Sequence, residues 1–222
     1  RKQTVAIAST FTAEPLQVPF AFWMKELGIN GEITFAPYNQ VFQQLLDPSS
    51  LISRNADGVN VVLLRLTDWK RVDGAANGQE ARHNIEKNVR DFAAALQTAA
   101  QQSVVPTIIC LCPAEENLVS NSEWAKFLAS TEETLVSEFS ASPGVHVITS
   151  AEVLERYPVA DYQDEYAERE GKIPYTPAFF IALATMLARR VFSLRRSPRK
   201  VVVVDCDNTL WKGVCGEEGA AR

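Results

Sequence analysis

Histidine and cysteine are scarce in this sequence. Two histidines occur among 222 residues, so we expect no metal site built on imidazole. Four cysteines are too few to form a disulfide framework in a chain of this length. Cys110 and Cys112 are separated by one residue within an apolar run, which is not the spacing of a zinc knuckle, and we predict that both are buried thiols.

Strong basic charge and long apolar runs are also missing. The formal net charge is −5, which argues against a nucleic-acid partner. No apolar run is long enough to cross a bilayer, and the first residues lack the features of a signal peptide. We therefore expect a cytoplasmic protein with no membrane partner. Hydrophobic residues make up 46% of the chain, which is enough to bury a sizeable core.

Apolar runs of strand length alternate with segments whose apolar residues recur every three or four positions. This pattern predicts an α/β domain with a parallel sheet covered on both faces, a three-layer flavodoxin-like architecture. Gly28 is expected to end the first helix, and Thr176 with Pro177 to begin the last one. The strands are predicted at 4–9, 32–36, 59–66, 104–112 and 145–149, the helices at 16–27, 38–46, 85–99, 123–139 and 176–194, and loops at 68–78 and 161–171.

The end of the sequence differs in character from the rest. Residues 195–200 are basic and contain a proline, so we interpret them as a linker between a first domain at 1–194 and a second that begins at 201. Four valines at 201–204 predict a strand buried on both faces. Asp205 and Asp207 follow at the carboxyl end of that strand, where their side chains point to the same side. Paired carboxylates in this position suit Mg²⁺ binding, with one as a nucleophile and the other as an acid/base.

The run DCDNTLWKGVCGEEG at 205–219 identifies the family that this chain resembles. A strand that ends in Asp-x-Asp-x-Thr resembles the first motif of the haloacid dehalogenase (HAD) superfamily. The longer run is similar to the FkbH-like branch, which occurs in polyketide and hybrid peptide–polyketide assembly lines. The stretches STFTAEPL at 9–16 and GKIPYTP at 171–177 resemble the N-terminal region of the same family. Residues 201–222 are thus expected to be the first strand and loop of a HAD Rossmann-like domain.

The resemblance implies a phosphoryl and acyl transfer activity. A phosphorylated three-carbon acid of the 1,3-bisphosphoglycerate type would lose a phosphate, and the glyceryl unit would pass to an acyl carrier protein with a phosphopantetheine arm. Asp205 would be the nucleophile and a Mg²⁺ ligand, and Asp207 the general acid/base and a second ligand. Asn208 and Thr209 would shape the loop at the substrate. The later HAD motifs are not in the sequence, so we expect the chain by itself to be inactive as a phosphatase.

Cysteines near this motif raise a further hypothesis. Thioester formation on a carrier protein could use an enzyme thiol as a relay. Cys206 would point away from the two aspartates on a strand, whereas Cys215 follows in the loop nearer to the substrate. Cys215 is therefore the candidate, and the alternative is that both are small residues without a chemical role.

The first domain resembles the SGNH-hydrolase fold, in which a serine follows the first strand. Ser9, Thr10 and Thr12 stand at a strand-to-helix junction, where hydroxyls and backbone N–H groups hold anions or oxyanions or cap a helix. Arg65, Thr67 and Asp68 end a neighbouring strand and are expected to face the same cleft. A hydrolase of this class also needs a late histidine, where this sequence has Lys172.

Three functions remain open for this domain and the chain. The first is a part of the FkbH-like transferase. The second is a non-catalytic domain that docks the carrier protein, with Arg65, Lys172 and the basic linker as contacts to an acidic carrier or to the phosphopantetheine phosphate. The third is an esterase built on Ser9.

Overall fold

Five parallel strands form one sheet in the described part of the chain. The computed structural model describes residues 3–70 and 78–196, together with Val201, 203–205, Thr209 and Lys212. The sheet order is β2-β1-β3-β4-β5. The strands are β1 (Gln3–Ser9), β2 (Gly31–Phe35), β3 (Gly58–Leu64), β4 (Thr107–Leu111) and β5 (Val145–Ile148). All five strands predicted for the first domain are confirmed.

Helices connect and cover these strands. Thr176 caps the last of them by accepting a hydrogen bond from the Phe179 N–H, and Gly28 follows the first with a φ of 65°, so both predicted helix boundaries are confirmed. Short 3₁₀ turns lie at Glu14–Leu16 and Leu66–Lys70, and the second overlaps the start of the predicted loop at 68–78. The helices are α1 (Gln17–Glu26), α2 (Val41–Leu46), α3 (Leu51–Arg54), α4 (Gly78–Gln102), α5 (Glu116–Val119), α6 (Ser122–Phe139), α7 (Ser150–Arg156), α8 (Glu165–Gly171) and α9 (Pro177–Arg195).

Alternate strand residues face two separate helical layers. Val5 and Ile7 of β1 contact the layer of α1, α7 and α9, whereas Ala6 and Ala8 contact the layer of α2, α4 and α6. Phe180 and Phe92 are buried on opposite faces, and burying such a side chain contributes roughly 1.5–3 kcal/mol. The predicted three-layer α/β architecture is confirmed.

Helix α9 is long and apolar enough to cross a membrane by length and composition, which the sequence analysis did not expect. Half of its most apolar window is buried inside the fold. It packs against α1, where the Trp23 indole N–H donates a hydrogen bond to Thr185 Oγ1 at 2.9 Å. In this fold α9 is a core helix.

The prediction of a loop throughout 161–171 is wrong, because α8 occupies its second half. Asp164 accepts a hydrogen bond from the Ala167 N–H and caps the helix. Glu165 and Glu168 lie in the first turn, where negative charge is favourable to the helix dipole. The high charge of this segment therefore supports a short capped helix as well as solvation.

The strand predicted at 201–204 is not formed by its described residues. Val201, Val203 and Val204 lie outside the sheet and are 73%, 92% and 43% exposed. A strand needs hydrogen-bonding neighbours, and these residues pair with none of the five strands. The division into domains at 195–200 stays a prediction, since most later residues lie outside the described part.

Candidate functional site

The candidate site lies where the chain leaves β1 and β3, at the carboxyl end of the sheet. β1 and β3 are neighbours, but β1 leads to β2 on one side and β3 leads to β4 on the other. This reversal is the position at which open α/β sheets bind ligands. Ser9 ends β1, and Arg65 follows β3 directly. The predicted proximity of Ser9 and Thr10 to Arg65 and Asp68 is therefore confirmed.

Hydrogen bonds connect these residues into a buried network. Thr10 Oγ1 accepts a bond from the Arg65 N–H at 3.0 Å and donates one to Asp68 Oδ2 at 2.7 Å. Arg65 Nε donates to Asp68 Oδ1 at 2.8 Å. A terminal guanidinium nitrogen of Arg65 lies 2.5 Å from both Asp68 Oδ1 and Glu168 Oε1. The Arg65 cation is thus committed to two carboxylates, and an incoming phosphate would have to displace one of them.

Burial and charge act in opposite directions within this network. Burial alone would lower the pKa of Arg65, but the Asp68 and Glu168 carboxylates more than compensate and raise it, so the guanidinium stays charged. Burial raises the pKa of Asp68, while Arg65 and Thr10 act to lower it. The side chains of Arg65, Asp68 and Glu168 are only 7%, 14% and 22% exposed. Such a network is sensitive to the loss of any one member.

The segment 164–172, here called the α8 strap, crosses this end of the sheet. Thr12 Oγ1 donates to the Gly171 carbonyl at 2.7 Å, and the Thr12 N–H donates to the Lys172 carbonyl at 2.9 Å. Lys172 ends α8 in the left-handed conformation with a φ of 56°, and its side chain is exposed. Together with the Arg65–Glu168 ion pair, these bonds hold the strap to the ends of β1 and β3.

Ser9 and Thr12 do not cap a helix, so that alternative is wrong. Ser9 Oγ donates to the Phe11 carbonyl at 2.5 Å, and Thr12 bonds to the α8 strap. The turn that precedes α1 begins at Ala13 without a side-chain cap. Ser9 therefore bonds to a carbonyl two residues along the chain, and Thr12 bonds to the strap because the strap lies close to the end of β1.

No catalytic triad is formed around Ser9 in the described part of the chain. Ser9 is buried, and its hydroxyl is engaged with a backbone carbonyl. His83 lies on α4 and His146 on β5, and neither is hydrogen-bonded to Ser9. The position at which a hydrolase would have its histidine holds the exposed Lys172. The geometry gives no support to an esterase built on Ser9.

Two tyrosines beside the site, whose roles the sequence did not indicate, donate hydrogen bonds to backbone carbonyls. The Tyr175 hydroxyl donates to the Pro113 carbonyl at 2.6 Å, and the Tyr162 hydroxyl donates to the Ala114 carbonyl at 2.8 Å. Both carbonyls follow β4, so the tyrosines satisfy backbone acceptors that no strand pairs. Cys110 and Cys112 are buried and free, as predicted. Burial raises the pKa of Cys112, which keeps it a thiol and not a nucleophile.

A second ion pair lies beside the site. Lys70 Nζ is 2.6 Å from Glu115 Oε1, with the side chains 27% and 15% exposed. Burial would raise the pKa of Glu115, but the hydrogen bond and charge of Lys70, together with hydrogen bonds from Thr67 and the backbone, outweigh it and the pKa is lowered. The pair thus favours the ionised carboxylate in the fold.

This pair is expected to make acid stability depend on Glu115. Because the folded pKa lies below the ordinary 4.5, its contribution is present above that value and is lost as the pH falls through the folded pKa. In Glu115→Gln we expect lower stability at pH 7 and a shallower loss of stability below about pH 4.5. Urea unfolding between pH 3 and 7 measures this, and an unchanged acid limb would contradict it.

The residues predicted to carry chemistry after the linker are only partly described. Asp205 and Thr209 are exposed, while Asp207, Asn208, Cys206 and Cys215 lie outside the described residues. Carboxylate oxygens suit Mg²⁺, but the described residues contain no group of three or more His, Cys, Asp or Glu side chains placed to hold a metal. The described residues therefore do not complete a Mg²⁺ site, and the roles of these residues stay predictions.

Comparisons with known proteins agree with the fold. No protein-family model matches the chain, and no curated protein sequence does so significantly. The N-terminal part of the protein BF1531 from Bacteroides fragilis, which contains a phosphatase domain and was crystallised in complex with Mg, is similar in structure, with a TM-score of 0.73, 18% identity and coverage of 98% of this chain. The chain spans 59% of that structure.

A second solved structure is a weaker match. The salicylyl-acyltransferase SsfX3 from a tetracycline biosynthetic pathway has a TM-score of 0.49 and 10% identity, with 88% of this chain and 56% of that one covered. At this level the likeness carries no argument. The similarity to the Bacteroides fragilis structure shows that the chain has the same three-layer α/β fold.

Proposed function

We propose that this chain is part of an FkbH-like enzyme that removes phosphate from a 1,3-bisphosphoglycerate-type donor and passes the glyceryl unit to an acyl carrier protein. The run DCDNT at 205–209, following a three-layer α/β domain, is the observation that carries the proposal. The structure from Bacteroides fragilis, which contains a phosphatase domain complexed with Mg, shares this fold over 98% of the chain. Such an enzyme would act in the cytoplasm.

Two aspartates would perform the phosphoryl chemistry. Asp205 would attack the phosphorus of the donor's phosphoester and carry the phosphoryl group until water hydrolyses it, while Asp207 would protonate the departing alcohol oxygen. The Asp205 carboxylate and the Asp207 backbone carbonyl would hold Mg²⁺, whose charge would offset the repulsion between the nucleophile and the anionic phosphate. Asn208 and Thr209 would shape the loop. The Cys215 thiol would attack the acyl carbon of the donor and displace the acyl phosphate as inorganic phosphate, and the thioester formed would then pass to the carrier thiol.

Metal removal tests this proposal. We expect a protein that includes the residues after 222 to release inorganic phosphate from 1,3-bisphosphoglycerate with added Mg²⁺, and to lose that release with a chelator because the phosphate charge is no longer offset. A coupled phosphate assay with Mg²⁺ restored in excess is the control. Phosphate release that persists in the chelator would contradict the role of the metal.

The first domain is proposed to dock and position the carrier protein. The Arg65 network favours this function over catalysis, because its charged groups are paired and no side chain in the described part of the chain accepts the Ser9 proton. Lys172 and the end of α9, at Arg195 and Arg196, present exposed cations to an acidic carrier or to its phosphopantetheine phosphate. Arg65 is buried, so Lys172 is the better candidate for direct contact.

Charge reversal at Lys172 tests the docking surface. We expect Lys172→Glu to weaken carrier binding about tenfold at low salt, with a smaller difference at high salt, because exposed charges are screened. Lys25→Glu on α1 is the matched control and should leave affinity unchanged. Surface plasmon resonance at two ionic strengths measures both, and equal affinities for the two variants would overturn docking at Lys172.

A further inference from the structure

A cavity beside α6 adjoins the Tyr162–Ala114 hydrogen bond of the candidate site, and its lining does not include Arg65, Asp68 or Glu168. Its volume is about 530 Å³, within the range of small-molecule sites. We call it the α6 pocket; it is bounded by α6, the start of α7 and the ends of β3 and β4. Most of its lining is apolar, with Leu66, Pro113, Ala125, Leu128, Ala129 and Val136 among the lining residues.

One carboxylate is built into this apolar lining. Glu132 Oε2 accepts a hydrogen bond from the Ser150 N–H at 3.1 Å, at the start of α7. The Ser150 side chain also acts on this carboxylate, and Ser150 is the only described residue that is hydrogen-bonded to it. Burial raises the pKa of Glu132, while Ser150 acts to lower it, so ionisation in the pocket is not fully compensated. The hydrogen bond from the Ser150 N–H at the start of α7 occupies Glu132 Oε2, and Glu132 Oε1 is left for a ligand.

The charged residues that line the pocket indicate the charge of the ligand that it can bind. Its lining includes Glu132 and Glu133 but no described lysine, arginine or histidine. An anionic ligand, such as the phosphorylated donor of the proposed reaction, would meet repulsion without a balancing cation. A neutral apolar ligand would leave the free oxygen of Glu132 desolvated and unpaired. A ligand with a cationic donor and an apolar body satisfies both requirements.

We propose that the α6 pocket binds an organic amine, whose apolar body lies along the α6 face and whose ammonium group donates to Glu132. The site is independent of the phosphoryl chemistry proposed for Asp205. The pocket would be a small-molecule site, whereas the charged groups of the Arg65 network are already paired with one another.

Three probes with the same apolar body distinguish the ligand classes. Hexylamine, hexanol and hexanoate are titrated into the full 222-residue chain while backbone amide NMR shifts are followed. We expect hexylamine to bind about tenfold more tightly than hexanol, with shifts at Ala125, Ala129 and Ser150, and hexanoate to bind most weakly. Equal affinities for the three probes, or no shifts in the pocket with hexylamine, would overturn the proposal.

Variants separate the ion pair from simple apolar filling. Glu132→Gln keeps an acceptor for the Ser150 N–H, and we expect it to weaken hexylamine binding about tenfold while leaving hexanol binding unchanged. Glu133→Gln removes an exposed neighbouring charge and should change the hexylamine affinity less than Glu132→Gln does. Ala129 is exposed and lines the pocket. In Ala129→Phe the larger side chain would fill the pocket, so we expect no binding of any of the three probes. Hexylamine affinity that is unaffected by Glu132→Gln would overturn the role of the carboxylate.

Discussion

Replacing Arg65 with alanine is expected to lower the free energy of unfolding by about 3–5 kcal/mol. The substitution leaves Asp68 and Glu168 as buried carboxylates without their cation. It also releases the α8 strap from β3, because Glu168 is the strap residue that pairs with Arg65. The Thr12 bonds to Gly171 and Lys172 then remain to hold the strap. Urea unfolding of the 222-residue chain measures the loss.

Two further variants show whether the effect comes from unpaired charge. In the double variant Arg65→Ala, Asp68→Asn we expect a smaller loss than in Arg65→Ala alone, since one buried carboxylate is removed with the cation. Arg156→Ala is the matched control, because Arg156 is 61% exposed and pairs with Glu152 on the same helix. It should cost less than about 0.5 kcal/mol. A loss below about 1 kcal/mol for Arg65→Ala would show that the network contributes little.

In the proposed enzyme, replacing Asp205 with asparagine is expected to reduce release of the phosphoester phosphate by on the order of 10⁴-fold or more. An amide cannot serve as the nucleophile, and it is also a poorer Mg²⁺ ligand than a carboxylate. Asp207→Asn should cost about 10²–10⁴-fold, the usual contribution of general acid/base assistance. Single-turnover phosphate release with saturating Mg²⁺ measures both rates.

We expect Asp205→Asn to leave the stability of the fold unchanged. Asp205 is exposed, and the described residues around it make no strand with the sheet. We therefore expect Asp205→Asn to leave the urea midpoint of the first domain and its affinity for the carrier protein unchanged. A variant that loses phosphate release only because it unfolds would fail this control. Full activity in Asp205→Asn would remove the nucleophile from the proposal.

The regular elements could be predicted because each carries its own pattern. The buried strand at β3 is a continuous apolar run, and α4 repeats Ile85, Val89, Phe92 and Leu96 on one face. The short helices α3, α5 and α7 were not predicted, because they are four to seven residues long and have little periodicity. Ser50, Asn121 and Thr149 accept capping hydrogen bonds at the starts of α3, α6 and α7. Thr149 and Glu152 also have the spacing of a capping box, a local signal that could have indicated α7.

The position of the site could be predicted from the sequence, but the ion pairing of its charged residues could not. Parallel strands bring their carboxyl ends to one edge, which is why Ser9, Thr10, Arg65 and Asp68 could be expected to meet. The ion pair from Arg65 to Glu168 spans 103 positions, and no local pattern links the two residues. The sequence instead predicts a surface loop at 161–171, which includes Glu168. Without that partner, the sequence predicts an Arg65 available to an anionic ligand, whereas in the fold Arg65 is paired with Asp68 and Glu168.

The valines at 201–204 are a case in which the sequence predicts an element that the described residues do not form. Their composition predicts a buried strand, but a strand forms only against neighbours that accept its hydrogen bonds. Val203 is 92% exposed, which is the state of an apolar residue without such neighbours. In the proposed FkbH-like enzyme, the sheet of a HAD domain would supply the pairing that the first domain does not.

The measurement that tests the central proposal most directly is the intact mass of the acyl carrier protein after incubation with 1,3-bisphosphoglycerate, Mg²⁺ and a protein extended past residue 222. The account predicts a mass gain that matches one glyceryl unit on the phosphopantetheine arm, and no gain of that mass with Asp205→Asn. An unmodified carrier that nevertheless binds the 222-residue chain would contradict the transferase and leave the docking function.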